Sequence, residues 1–61
     1  MSRLQKFIES QLISAEYKYD GSVDQWIGWV PRFRGVYSQG KNIESVRNDL
    51  AEILEEQIFL S

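Results

Sequence analysis

The chain has 61 residues with no cysteine and no histidine, which excludes disulfides and the common soft metal ligands as supports for the fold. Seven Lys and Arg residues are outnumbered by nine Asp and Glu, so no positive excess is present to gather nucleic-acid phosphates. A domain of this length buries only about 60% of the surface of its unfolded chain, and we therefore expect a homodimer or higher oligomer.

A first helix is predicted over about residues 3–11. Ser2 and Gln5 have the spacing of a capping box, in which each side chain accepts a hydrogen bond from the other residue's backbone. The apolar stripe at helical spacing consists of Leu4, Phe7, Ile8 and Leu12. This stripe predicts an inward face for the helix.

Three strands are predicted after that helix. From residue 13 the apolar positions alternate with polar ones, which is typical of a half-buried strand over about 13–20. Its inward residues are expected to be Ile13, Ala15, Tyr17 and Tyr19. Asp20-Gly21-Ser22 then predicts a turn, and strand formers predict a second strand over about 25–31 and a third over about 36–39.

Proline and glycine divide the second half of the chain. Pro31 lacks a backbone donor and marks the end of sheet pairing, while Gly35 can take positive φ in the connection. Gly40 allows a sharp exit from the third strand, and Asn42 can cap a helix over about 43–60. The inward stripe of this helix is predicted to contain Ile43, Val46, Leu50, Ile53, Leu54 and Ile58.

This order of elements predicts the fold class and one domain over residues 1–61. We expect an α+β domain of order α-β-β-β-α, with a three-stranded antiparallel meander sheet and two helices packed on one face.

The second strand carries large apolar side chains toward both faces of the sheet. Trp26 and Val30 are assigned to the face covered by helices, with Gly28 letting a helix approach closely. The opposite face then exposes aromatic surface, unless Trp29 lies under a terminus or a loop. We predict a partner interface at Ile27, Trp29, Phe33 and Tyr37.

The charged side chains do not form a pattern typical of an enzyme active site. Without His or Cys, Asp20 and Asp24 are best interpreted as turn carboxylates, so we expect no catalytic, cofactor or metal residues. Arg32 and Arg34 beside Phe33 could stack on RNA, but an ordinary loop is favoured. The last helix carries an acidic face that is either solvated or attractive to a basic partner, formed by Asp49, Glu52, Glu55 and Glu56.

Compartment signals are also absent. The apolar runs are short, and Met1 to Gln5 lacks the basic-then-apolar order of a signal peptide. We expect a soluble cytoplasmic protein that does not engage a membrane.

The residue order from the second strand onward resembles the HicB-like antitoxins. The residues that carry the resemblance are Trp26, Gly28, Val30, Pro31, Gly35, Val36, Gly40, Asn42 and Ile43. The resemblance implies a sheet related to a partial RNase H fold and a role in silencing a small basic RNA-cleaving toxin. Many such proteins add a DNA-binding domain; with none after this segment, no direct nucleic-acid binding is expected.

Three functions are therefore considered. The first is a non-catalytic antitoxin-like protein that occludes a small basic toxin. The second is an orphan homo-oligomer with a structural or interaction role and no toxin. The third is a double-stranded RNA-binding module, which has the same element order but needs basic residues where the last helix here is acidic.

Overall fold

The computed structural model describes residues 2–60 of the chain. Its elements in chain order are α1 (Arg3–Ile13), β1 (Glu16–Asp20), β2 (Gln25–Trp29), β3 (Tyr37–Gly40) and α2 (Ile43–Leu60). The strands form one antiparallel meander sheet in the order β1-β2-β3, and both helices pack on one of its faces. The α+β fold with the order α-β-β-β-α is thus confirmed.

Helix α1 is fixed at its start by the capping box. The Ser2 hydroxyl accepts from the Gln5 backbone N–H at 3.1 Å, and the Gln5 side chain accepts from the Ser2 N–H at 3.3 Å. The helix continues past residue 11 to Ile13, where Ser14 forms the C-cap. Ile13 is 85% exposed, so its assignment as the first inward residue of a strand is wrong.

The first strand accordingly starts later than expected. β1 begins at Glu16 rather than at residue 13, because the capped helix continues to propagate by adding backbone hydrogen bonds. Tyr17 is half-buried as predicted, but Tyr19 is 46% exposed, so the predicted inward position of Tyr19 is wrong.

The loop between β2 and β3 is longer than predicted, because β2 ends earlier and β3 begins later. Backbone hydrogen bonds nevertheless close this loop. β2 ends at Trp29 and β3 runs from Tyr37 to Gly40. The Val30 N–H still donates to the Val36 carbonyl at 3.0 Å, and a turn with Pro31 inside it closes as the Phe33 N–H donates to the Val30 carbonyl at 3.0 Å. Both valines are therefore held under the helices.

The core lies between the sheet and the two helices. Its buried apolar side chains are Ile8, Leu12, Val30, Val36, Val46, Leu50 and Leu54. Three of these lie on α2, which is the element that contributes most to the core. Helix α1 packs mainly on α2 and contributes Ile8 and Leu12.

Helix α2 is longer than the sheet it covers. Eighteen helical residues extend about 27 Å, whereas a five-residue strand extends about 17 Å. The ends of the predicted inward stripe, Ile43 and Ile58, are accordingly exposed. The predicted placement of these two residues in the core is therefore wrong.

Gly28 lets α2 lie close to the centre of the sheet. A Cβ at this position would be 2.5 Å from Val46 Cγ1 and 2.9 Å from Tyr17 Cδ1. No side chain fits there without moving α2 or Tyr17.

Candidate functional site: two protein-binding surfaces

The side of the sheet away from the helices forms the first candidate surface. We define the open sheet face by the residues whose side chains alternate toward that side, which are Glu16, Lys18, Asp20, Gln25, Ile27, Trp29, Tyr37 and Gln39. The pairing register places Trp29 between Glu16 and Tyr37, and Ile27 between Lys18 and Gln39. Ile27 and Trp29 are half-buried, and Tyr37 is 67% exposed.

Three of the four predicted interface residues therefore come together. Trp29 and Tyr37 are direct cross-strand partners, and Ile27 lies two residues along β2 on the same face. Large apolar side chains on an open face are typical of a protein-binding surface.

Phe33 lies elsewhere. Its ring meets the ring of Phe7 edge-to-face, with 6.5 Å between centroids and 79° between ring planes. Phe33 is half-buried and packs against the core on the helical side. The structure thus separates it from the open sheet face and assigns it a packing contact with α1.

The outer side of α2 forms the second candidate surface. We define the acidic helix face by Glu52, Glu55 and Glu56, which border a shallow depression together with Phe59. All three glutamates are exposed, and within residues 2–60 none of them has a side-chain hydrogen-bond or ion-pair partner. Phe59 is 67% exposed, so carboxylates and an apolar ring are presented together.

Asp49 does not belong to this acidic helix face. Its carboxylate accepts a hydrogen bond from the Ser38 hydroxyl at 2.9 Å. Its assignment to the acidic outer face is therefore wrong, because the side chain turns toward β3 and joins the helix to the sheet.

A groove of about 230 Å³ separates the two helices and meets the acidic helix face at Glu55. Its lining residues are Gln5, Ile8, Glu9, Leu12, Arg47, Ala51 and Glu55. The groove has apolar side chains at its base and charged ones at its rim.

The turn between β1 and β2 uses both of its aspartates in local hydrogen bonds. Asp20 Oδ1 accepts from the Ser22 N–H at 3.0 Å and from the Ser22 hydroxyl at 2.6 Å, and these bonds lower the pKa of Asp20. The Tyr19 hydroxyl donates to Asp24, which together with slight burial and the nearby Asp20 charge raises the pKa of Tyr19. Asp24 adopts a left-handed φ of 52°.

The residues predicted to shape turns lie at turn and cap positions. Gly35 has a φ of 83°, and Asn42 Oδ1 accepts from the Ser45 N–H at 2.7 Å. Gly40 pairs with Trp26, and a Cβ there would be 3.3 Å from Val46 Cγ2. Gly40 thus serves a close helix approach in addition to ending β3.

Arg32 and Arg34 are exposed in the loop around Phe33. The Arg34 carbonyl accepts from the Gln57 side chain at 3.4 Å, which ties this loop to α2. Sequence patterns give no signal for this contact, because its partners are 23 residues apart.

Within residues 2–60, no group of three or more His, Cys, Asp and Glu side chains is placed to hold a metal ion. In the same part of the chain, neither helix is both long and apolar enough to cross a bilayer.

Comparison with known proteins gives the family. The family model described as UPF0150-like matches residues 6–61. The chain belongs to the UPF0150-like family. The family description states no activity.

Two similar proteins come from Thermotoga maritima and Thermus thermophilus. A UPF0150 protein of Thermotoga maritima is 38% identical over 45 residues, which are 74% of this chain and 60% of that protein. The chain thus spans somewhat under two thirds of that relative's length. The crystal structure of TTHA0281 from Thermus thermophilus superposes with a TM-score of 0.84 at 23% identity, covering 98% of this chain and 79% of the other. That likeness establishes a shared fold.

Proposed function

We propose that this UPF0150-like domain is a non-catalytic, antitoxin-like protein that binds and neutralises a small basic RNA-cleaving toxin. The observation that carries the proposal is the acidic helix face. Its three carboxylates stand exposed next to the ring of Phe59. A basic protein would gain both charge complementarity and an apolar contact there.

The side-chain inventory supports binding without chemistry. The sequence contains no His and no Cys, and Asp20 and Asp24 are engaged in their own turn. An inhibitor that acts by occlusion needs surface complementarity and no reactive group. The resemblance to HicB-like antitoxins supports the same function.

Co-expression with the products of neighbouring genes tests the proposal. We expect a tagged form of the chain to retain a small basic protein in a pull-down and to relieve growth inhibition by that protein. Recovery of no basic partner, together with no relief of toxicity by any neighbouring gene product, would count decisively against the function.

Surface variants locate the contact. Glu55→Gln should slow association with the basic partner several-fold at low ionic strength, with a smaller effect in high salt, because exposed charges act mainly through screened steering. Glu16→Gln on the open sheet face is the matched control, since it removes the same charge on the other side of the molecule. Equal effects of the two variants would disconnect the binding from the acidic helix face.

The second candidate function is an orphan homo-oligomer without a toxin. The observation that favours it is the cluster of Ile27, Trp29 and Tyr37 on the open sheet face. Self-association in the purified protein, with no partner captured and no toxicity to relieve, would select it.

A further inference from the structure

The groove between α1 and α2 has an apolar base to which both helices contribute. Ile8 and Leu12 of α1 are buried in the core, whereas Ala51 of α2 is half-buried. The methyl side chain of Ala51 is the smallest in the lining and leaves the space open. The volume of about 230 Å³ is below the roughly 300–1,000 Å³ of pockets for small molecules. The groove therefore has room for one or two side chains of another protein.

Charged side chains lie along the rim of the groove. Arg47, Ala51 and Glu55 are four residues apart and follow one side of α2, over about 12 Å or two helical turns. Glu9 of α1 adds a second carboxylate to the rim. Glu9, Arg47 and Glu55 are exposed, and within residues 2–60 they form no ion pair with one another. Their charges are available to a partner.

The sign of these charges favours a basic partner. Glu55 borders both the groove and the depression of the acidic helix face, so negative charge continues from one to the other. The chain as a whole has a net charge of −2. A second copy of the chain would bring its own acidic helix face against carboxylates of the same sign, which is unfavourable. A basic segment with an apolar side chain matches both the rim and the base.

We propose that this groove holds an amphipathic helix of the basic partner. One apolar side chain of that helix lies over Ala51, and its lysine or arginine side chains lie beside Glu9 and Glu55, away from Arg47. The inference rests on the proposed function for the basic character of the partner. It adds which part of the partner binds and where.

The walls of the groove favour a helix over a strand as the bound segment. Within α1 and α2 the backbone N–H and C=O groups bond along their own helices, so a strand would find no open sheet edge to extend. Side chains of a third helix can pack between the ridges of two others. The length of two turns matches the i, i+3, i+4 and i+7 spacing by which amphipathic helices are anchored.

A synthetic helical peptide tests the groove directly. Its leucines repeat at i, i+3, i+4 and i+7, and lysines border them on both sides. In an NMR titration of the nitrogen-15-labelled chain, we expect binding with a dissociation constant below about 1 mM. The largest amide shifts should occur at Gln5, Glu9 and Ala51, with little change at Trp29 and Tyr37 on the open sheet face. Two control peptides, one with the same composition in scrambled order and one with glutamate for lysine, should not bind there.

A filled groove should exclude the helix. Ala51→Leu keeps a good helix former on α2 and should raise the dissociation constant of the peptide about tenfold or more, because the space for its apolar anchor is lost. Ser10→Leu is the matched control, since it adds the same side chain at an exposed position of α1 that does not line the groove. Circular dichroism checks that both variants are folded.

A charge variant tests the same contact without altering the base. Arg47→Gln should lower the dissociation constant of the peptide about threefold, because it removes a positive charge from the rim. Lys18→Gln makes the same charge change on the open sheet face and should have a smaller effect. Since Arg47 is exposed, this variant remains informative if Ala51→Leu does not fold.

Several outcomes would overturn the inference. These are no binding of the peptide up to about 1 mM, equal binding of the scrambled peptide, the largest shifts around Trp29, and weaker binding to Arg47→Gln. If a basic partner from a neighbouring gene binds folded Ala51→Leu as tightly as the wild-type chain, the antitoxin function stands and the groove is excluded. If no such partner exists but the peptide binds in the groove, the groove stands as a site for a basic helix and the antitoxin function fails.

Discussion

Gly28 is the glycine at which an added Cβ would meet its neighbours most closely. Its neighbours on the helical side, Val46 and Tyr17, would lie within 3 Å of an added Cβ. Val46 is fully buried, so its side chain could yield only by displacing its core neighbours. The closeness of α2 to the sheet therefore depends on the absence of one methyl group.

We expect Gly28→Ala to destabilise the domain by about 1–3 kcal/mol, the usual cost of overpacking a well-packed site. Gly21→Ala is the matched control, since the nearest atom to its added Cβ is Tyr19 Cε2 at 3.7 Å, and it should change stability by less than about 0.5 kcal/mol. Urea unfolding followed by tryptophan fluorescence measures both variants. Equal stabilities would show that α2 shifts freely, contrary to the geometry described.

Tyr19 and Asp24 form a second locally determined feature. The Tyr19 hydroxyl donates to Asp24, whose left-handed backbone is otherwise uncommon for a residue with a side chain. The Tyr19 ring also packs edge-to-face on Trp26, with 5.5 Å between centroids. The hydrogen bond thus joins the end of β1 to the start of β2.

Because of this hydrogen bond, the stability of the fold should decrease at alkaline pH. The pKa of Tyr19 is raised in the folded state, first by the hydrogen bond to Asp24. A raised pKa means that its contribution to stability is fully present below the ordinary tyrosine value of about 10 and is lost as pH rises through the folded-state pKa. Asp24→Asn should move the Tyr19 pKa back toward its ordinary value, since a neutral amide oxygen accepts a weaker hydrogen bond from the hydroxyl than a carboxylate does.

Titration of phenolate absorbance measures this shift, with Tyr19→Phe identifying which transition belongs to residue 19. Asparagine tolerates the left-handed backbone at position 24 as well as aspartate does, so the turn should persist. An unchanged titration curve in Asp24→Asn would contradict the assigned cause.

At the scale of elements, helix α2 depends on its cap. Asn42 satisfies the Ser45 N–H at the helix start, and the N–H groups of a first turn have no partners within the helix. The helix supplies Val46, Leu50 and Leu54 to the core. Loss of the cap therefore loosens the element on which most of the buried surface depends.

Asn42→Ala should cost about 1 kcal/mol, whereas Asn42→Asp should retain most of the stability because the carboxylate can also accept from the N–H. Asn48→Ala is the control, since this exposed mid-helix residue gains helix propensity on becoming alanine. Thermal unfolding by circular dichroism ranks the three variants. A loss in Asn48→Ala equal to that in Asn42→Ala would remove the capping explanation.

Local sequence patterns predicted the type and order of the helices and strands better than the residues at which they begin and end. The capping box, the strand alternation and the Asn42 cap are properties of neighbouring residues, so element order could be inferred from sequence. Ile13 was misplaced because an apolar residue between a helix and a strand fits either period. Ile43 and Ile58 were misplaced because their burial depends on how far the sheet extends beneath α2.

The residues of the candidate surfaces could be predicted from sequence only in part. Ile27 and Trp29 share a face by strand alternation alone, and the register then adds Tyr37. Phe33 and Asp49 could not be placed, because their partners Phe7 and Ser38 lie on other elements. Contacts between distant elements have no periodic signal in the chain.

At the scale of the whole molecule, the small core makes stability sensitive to association. Within residues 2–60 the buried core consists of seven apolar side chains, three of them on α2, and a 61-residue chain has limited hydrophobic burial. Any partner that binds the folded form alone raises its apparent stability by mass action. Covering the exposed aromatic surface of the sheet with a partner would therefore raise the apparent stability of the folded chain.

If the second candidate function holds, self-association through the open sheet face is measurable as a concentration dependence of thermal unfolding. The midpoint temperature of the wild-type chain should rise with protein concentration once the dimer is populated, because unfolding then also separates two folded copies. Tyr37→Thr should flatten this dependence with little change in the midpoint at high dilution, since Tyr37 lies on the open sheet face and is 67% exposed, and threonine is also a strand former. Scanning calorimetry at several concentrations gives both curves. A wild-type midpoint independent of concentration across the range in which sedimentation detects dimers would mean that association adds nothing to folding, and the open sheet face would then serve recognition rather than stability.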